Sequence, residues 1–191
     1  KPHQERIGFT GRNQRIRLMD LLQKDGYRLR APEPEDLGVM MQFENTPSLW
    51  EVSTPTGPYS RFYLKQYIET NKNDLYEDRQ LRLMIESPEK RVVGIIDLFN
   101  FEPFHSKAEV GIVIGEAHRG QGIGELALQL LQEHCFDYLG IHQLYAHIDT
   151  SNEPSLRLFK KCGFKEGGYL KDWMRTGKNF RDVVVLQCIN S

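Results

Sequence analysis

The stretch that most limits the fold runs from Val110 to Leu139. It passes from an uncharged branched run, Val110-Gly-Ile-Val-Ile114, through Gly115-Glu-Ala-His118 and Arg119-Gly-Gln-Gly-Ile-Gly124, into a long amphipathic segment. The branched run suits a strand covered on both faces. Glycines at alternate positions, Gly120, Gly122 and Gly124, let the backbone take positive φ and turn its amides toward one point. Beyond them Leu126, Leu128, Leu130, Leu131, Cys135, Phe136 and Leu139 recur at helical spacing, with Gln129, Gln132, Glu133 and Asp137 between them. A helix therefore begins where the amides converge. Its first turn, with unpaired N–H groups at the positive end of the dipole, is a site for phosphate. Two other phosphate loops are excluded, because the turn lacks both a terminal Gly-Lys-Ser/Thr and a G-x-G-x-x-G followed by an acidic residue on the next strand.

A second patterned stretch follows. Leu144-Tyr-Ala-His-Ile-Asp149 reads as another buried strand, and residues 152–164 as a helix capped by Asn152, with Pro154 in its first turn and Gly163 as terminator. Arg119-x-x-Gly122-x-Gly124 resembles the acetyl-CoA pyrophosphate loop of the GNAT superfamily of N-acetyltransferases. Asn152, Ser155, Phe159, Gly163 and Phe164 match, in order, the Asn-x-x-Ser/Ala, aromatic, Gly-Phe signature that this family carries after the next strand. The resemblance covers about Tyr27 to Asn190.

The resemblance implies an α+β fold, a mixed, mainly antiparallel twisted sheet flanked by helices, with two splayed central strands, Val110–Ile114 and Leu144–Asp149. It implies acetyl-CoA as co-substrate and no metal. Ile112, Val113 and Ile114 would lie on the acetyl-pantetheine, and Arg119, Gly120, Gln121, Gly122, Ile123 and Gly124 on the pyrophosphate. Asn152, Ser155 and Phe159 would complete the cofactor site.

Acetyl transfer to an amine sets its own requirements. An alkylammonium with the ordinary lysine pKa of about 10.4 must lose a proton before it attacks. The thioester oxygen needs an N–H donor as it gains charge, and the leaving thiolate needs a proton. Glu109, opening the strand beside the cofactor, is the first candidate for the base, and Asp97 on the neighbouring strand is the reserve. Most members of the family carry a tyrosine as acid where this chain has Phe159, which has no proton to donate. Ser155 is then the candidate donor, with Tyr145 and Tyr169 behind it. None of Cys135, Cys162 and Cys188 has a nucleophile's sequence setting, so direct attack in a ternary complex is expected.

The acceptor stays open at this level. Glu44-Asn45 and Pro58-Tyr59 are similar to the spermidine N-acetyltransferases, in the branch that also holds the ribosomal-protein N-acetyltransferases. The spermidine enzymes carry acidic residues between the first two helices, where this chain has Val52-Ser-Thr-Pro-Thr-Gly57. The acceptor is expected to be a primary amine of a polyamine or other small molecule, or alternatively a peptide N-terminus. A reading from another class is a non-catalytic acyl-CoA sensor.

Composition bounds the rest. A chain of 191 residues, 39% hydrophobic and 27% charged, suits one well-buried domain. A net charge of −1 argues against a nucleic-acid partner. Three scattered cysteines without C-x-x-C fit a reducing compartment, and no apolar run reaches the roughly 20 residues of a membrane helix. The expectation is a cytoplasmic protein without a membrane partner. A homodimer through exposed C-terminal strand edges is expected by analogy. Residues 1–26 read as an N-terminal basic extension or helix, with helical spacing over Asn13–Gly26, and residues 27–191 as the acetyltransferase domain. The histidines lack ligand spacing: His134, His142 and His147 read as packing residues and His118 as a neighbour of the phosphate turn. Trp50 and Trp173 read as core residues or as walls of an acceptor cleft.

Overall fold

The computed structural model describes residues 21–46 and 57–191. Trp50, most of the Val52–Gly57 segment and the N-terminal part of the expected Asn13–Gly26 helix lie outside the described residues. The C-terminal part of that expected helix is corrected. Gln23–Lys24 is a strand, β1, joined to β2 (Tyr27–Arg30) by a two-residue turn, Asp25-Gly26. Asp25 and Gly26 take φ of 53° and 82°, as a type I′ hairpin demands, and that local preference outweighs the helical spacing of the apolar residues.

A single 3-10 turn, Pro34–Asp36, leads into α1 (Leu37–Asn45). Helix α2 (Arg61–Thr70) starts at Ser60, whose hydroxyl accepts the Tyr63 amide at 3.0 Å. A short helix that the apolar spacing does not announce, α3 (Leu75–Asp78), is capped in the same way by Asp74. Then come β3 (Leu81–Glu86), β4 (Val92–Glu102) and β5 (Lys107–Ile114). Helix α4 (Ile123–Glu133) continues into a π-turn over His134–Tyr138, closed by the Leu139 amide on the His134 carbonyl at 3.0 Å. The chain ends with β6 (Gln143–Asp149), α5 (Glu153–Lys161), β7 (Lys165–Thr176) and β8 (Asn179–Ile189).

The eight strands form one sheet in the order β1-β2-β3-β4-β5-β6-β8-β7. All neighbours run antiparallel except β5 and β6, which are parallel and linked through α4. This is the mixed, mainly antiparallel α+β sheet expected from the sequence. Side-chain alternation sends Ala108, Val110, Ile112 and Ile114 of β5 to one face, where Ile123, Ala127, Leu128 and Leu131 of α4 and Phe159 of α5 cover them. The other face, around Met84, Ile95 and Val113, is covered by Leu37 and Met40 of α1 and Leu64 of α2. Each fully buried residue of this size stabilises the fold by roughly 1.5–3 kcal/mol. The α1–α2 cluster reaches from β3 to β5 and takes in nothing from β6, β8 or β7, so this face offers a border where polar side chains meet solvent. No helix among the described residues is long and apolar enough to cross a membrane.

Candidate active site

The central parallel pair is short. β5 and β6 are in register only at Lys107↔Gln143, Ala108↔Leu144 and Glu109↔Tyr145, and from Val110 onward the strands part. β5 keeps its ladder with β4 as far as Ile114, and β6 keeps its ladder with β8 as far as Asp149. The Gly115 amide donates to the Val93 carbonyl at 2.8 Å, so by strand alternation the peptide groups of Val113 and Gly111 also face β4. Those of Ile112 and Ile114 face the opening. Of the three residues expected along the acetyl-pantetheine, Ile112 and Ile114 present backbone to the gap. Val113 turns its backbone to β4 and its side chain to the α1–α2 core.

At the wide end of the gap stands the glycine loop. Gly120 and Gly122 take φ of 73° and 77°, and a Cβ at either would meet nothing within 4 Å, so conformation rather than space calls for glycine here. Gly122 is the N-cap of α4, and no side chain caps that helix. The amides of its first turn are left for a ligand, at the positive end of an 11-residue helix. Gly124 has a different reason. A Cβ there would come within 3.2 Å of Leu158 and 3.8 Å of Ile114, so its absence lets α5 and β5 close on the start of α4. Arg119 is exposed and donates from Nε to the Ile114 carbonyl at 3.1 Å, which ties the loop to the strand end; Gln121 donates to the Ala117 carbonyl at 3.3 Å.

At the narrow end, where the strands separate, sits Glu109. Its residue is 8% exposed, which makes every hydrogen bond to it count. One oxygen, Oε1, lies 2.7 Å from His147 Nδ1 on β6, and Oε2 accepts Asn100 Nδ2 at 2.9 Å. Asn100 takes φ 49° in an irregular stretch of β4, between Phe99 and Glu102, where the register with β5 shifts. That irregularity is what aims the Asn100 amide back at β5. His147 in turn stacks on Trp173 of β7, with ring centres 6.2 Å apart and planes 8° from parallel. Tyr145 meets the His147 ring edge-on at 5.7 Å, and burial, then the charge of Glu109, holds its phenol above the ordinary value. The sequence treated His147 as a packing residue. Its partnership with Glu109 depends on a contact across 38 positions, set by the parallel register.

Asp97 shares a sheet face with Glu109 but has other duties. Both its oxygens accept from Arg82, at 2.9 and 2.8 Å, and Arg82 also pairs with Glu44 of α1 and lies over the Tyr67 ring at 5.8 Å. Burial works against the Arg82 charge, yet Asp97 and then Glu44 outweigh it and hold the guanidinium above its ordinary value. Phe159, at the position where a proton donor is missing, is 2% exposed and packed edge-on against Phe164 at 4.9 Å. Ser155 sits half-buried in the first turn of α5, and its amide is taken by the cap, Asn152 Oδ1, at 3.3 Å. Tyr169 gives its hydroxyl to Asp182. Burial pushes the Cys135 thiol up to about 12 and, with help from Glu125, the Cys162 thiol up to about 11, so neither is a thiolate nucleophile near neutrality. Among the described residues no group of three or more His, Cys, Asp or Glu is placed to hold a metal ion.

Comparison with known proteins agrees with this fold. Residues 27–165 match the family model described as acetyltransferase (GNAT) domain. The spermidine N(1)-acetyltransferase of Vibrio cholerae is 24% identical over 163 residues, covering 85% of this chain and 92% of that protein. The Escherichia coli K12 spermidine N(1)-acetyltransferase is 24% identical over 157 residues, covering 82% of each. Among solved structures, the Vibrio cholerae spermidine N-acetyltransferase in complex with CoA and spermine superposes with a TM-score of 0.78 at 24% identity, over 87% of this chain and 97% of that one. A dodecameric structure of the same enzyme gives 0.73 at 25% identity, over 88% and 96%.

Proposed function

The chain belongs to the GNAT acetyltransferase family, and from that premise we propose that its acceptor is a polyamine or a similarly small polycationic amine. It is an N-acetyltransferase that moves the acetyl group of acetyl-CoA to an amine. The observation that carries the site is the parting of β5 and β6 after Glu109↔Tyr145, with an uncapped helix start at one end and a buried carboxylate at the other. We assign the pyrophosphate to the amides from Arg119 to Gly124 and the pantetheine arm to the gap beside Ile112 and Ile114, with Val113 behind them. We assign Asn152 and Ser155, at the start of α5, to the same space, with the buried Phe159 ring behind them. The Ile112 amide is the donor we assign to the thioester oxygen as it gains negative charge.

The acceptor is assigned to the opposite face, where the Glu109 carboxylate lies and Asp97 is held by Arg82, because a carboxylate beside the gap draws in and orients an alkylammonium. The polyamine acceptors in the names of the bacterial relatives support the same class. The proton leaves the ammonium at the Glu109–His147 pair. Asp97 has both oxygens committed to Arg82 and is assigned to holding that charge rather than to proton transfer. Ser155 is the hydroxyl assigned to the leaving thiolate. Direct attack suits a site whose two buried thiols are kept protonated. Assembly into an oligomer is supported by the dodecameric relative, and β7, which ends the sheet and is exposed along most of its length, is the edge we assign to it.

The test is release of CoA thiol from acetyl-CoA with spermidine, spermine, simpler diamines, aminoglycosides, amino acids and N-terminal peptides. Turnover is expected with the polyamines. Turnover confined to peptides would move the acceptor to a protein N-terminus, and CoA binding without turnover on any amine would favour an acyl-CoA sensor.

A further inference from the structure

The base in this site is a pair, and its two members are not equivalent. Glu109 is a nearly enclosed carboxylate with both oxygens engaged, one by the Asn100 amide and one by His147 Nδ1. The His147 side chain is 27% exposed against 10% for Glu109, so the imidazole is the member that an acceptor can reach. A carboxylate 2.7 Å from Nδ1 selects the tautomer with its proton on Nδ1, which leaves a lone pair on Nε2. Nε2 has no hydrogen-bond partner among the described residues. The ring's orientation is fixed from two further sides, by the parallel Trp173 indole and the edge-on Tyr145 ring.

The geometry points to His147 Nε2 as the atom that takes the proton from the acceptor ammonium, with Glu109 as the positioning residue that fixes its tautomer and stabilises the imidazolium. This inference rests on the acetyltransferase reading above and refines it. R–NH3⁺ gives one proton to Nε2, and the freed lone pair forms the C–N bond at the thioester carbonyl. The C–S bond then breaks, the second departing proton goes from the nitrogen to the thiolate, and the imidazolium returns its proton to water. Trp173 contributes an exposed indole face beside His147, and an alkylammonium is attracted to such a face before it is deprotonated. Among the described residues the charge of Glu102, besides that of Glu109, reaches the Tyr145 phenol packed against the ring. Val185 of β8 lies opposite His147, and Asp149 on the same strand is neutralised by Arg181 at 3.1 Å. Asp97 and Arg82 hold each other further along the same sheet face.

The experiment is a pH–rate profile of kcat/KM for a polyamine in the unsubstituted protein and in His147→Gln and Glu109→Gln, with CoA affinity measured by calorimetry as the control for an intact site. His147→Gln is expected to lose about a hundredfold or more in rate and to lose the acidic limb, with CoA affinity unchanged. Glu109→Gln is expected to keep the acidic limb, because the imidazole is still present, and to lower kcat about tenfold or more, because a neutral amide no longer selects the tautomer with its proton on Nδ1. Added imidazole is expected to restore part of the rate in His147→Ala, which a purely structural role would not allow. A His147→Gln protein that keeps the limb and most of the rate overturns the inference and makes Glu109, through water, the base. If the unsubstituted protein releases no thiol with any amine, the transferase reading itself fails, and the inference with it.

Discussion

Removing Arg30 tests how the N-terminal third of the sheet is held to its helices. Arg30, on β2, donates to Asp36 at 2.7 and 3.0 Å and to Glu86 of β3 at 2.5 Å. The side chains are 19%, 7% and 6% exposed, so this is a buried network rather than a surface pair. For both carboxyls burial favours the neutral acid, but Arg30 outweighs it and holds each below its ordinary value. In Arg30→Met the apolar stem stays and the charge goes. Glu86 keeps Arg28 at 3.0 Å and Lys90 at 3.6 Å, whereas Asp36 keeps, among the described residues, the Glu33 amide at 2.8 Å. Breaking a buried pair costs about 3–5 kcal/mol, and because Glu86 retains partners the low end, about 3 kcal/mol, is expected. For a domain of this size that is a drop in Tm of about 6–12 °C. The pH dependence carries the sign. A lowered native pKa contributes stability that is present above the unfolded value and lost as pH falls through the native one. In the variant the two carboxyls protonate more readily and shed their uncompensated charge. The gap in urea-denaturation free energy between the two proteins should therefore be widest near neutrality and shrink as pH falls below about 4.5. A gap that is the same at both ends of that range would refute the argument, because it would make the loss one of packing rather than of charge.

The other outcomes are read in activity and binding. Gly122→Val places a β-branched residue at φ 77° with open space around it, so the fold should survive while the amides at the start of α4 shift and CoA affinity by calorimetry falls about tenfold or more; unchanged affinity would remove the loop from the cofactor site. Asp97→Asn should cost stability by weakening the hold on Arg82 and leave the shape of the pH–rate profile as it was, whereas loss of its acidic limb would return Asp97 to the role of base. Ser155→Ala should lower kcat about tenfold or more with CoA affinity intact if its hydroxyl serves the leaving sulfur; an unaltered kcat would make Ser155 a spacer. Trp173→Ala should raise KM for the amine several-fold if its indole receives the acceptor, and should also lower kcat, since it removes one of the two rings that orient His147; unchanged KM and kcat would leave Trp173 a surface residue.

What the sequence made legible was local, and what it hid was set by register. The glycine loop could be read because positive φ at Gly120 and Gly122 is a property of single residues, and the helix after it because apolar spacing survives in isolation. The Asp25-Gly26 hairpin is equally local, yet a helical pattern of apolar residues masks it, since two neighbouring turn residues weigh little in a window of a dozen. The Glu109–His147 pair is of another kind. No property of His147 alone distinguishes it from a packing histidine. It becomes a functional candidate only because Glu109 pairs with Tyr145 across a parallel ladder that ends there, two residues short of His147. The same ladder end opens the gap beside Ile112, so one event in the fold both parts the strands and leaves His147 on the strand that turns away. A one-residue slip between β5 and β6 would turn His147 to the opposite face, into the α4 core, and deprive Glu109 of its partner. The three short rungs from Lys107 to Glu109 therefore fix the geometry of the chemistry more than any single side chain in it.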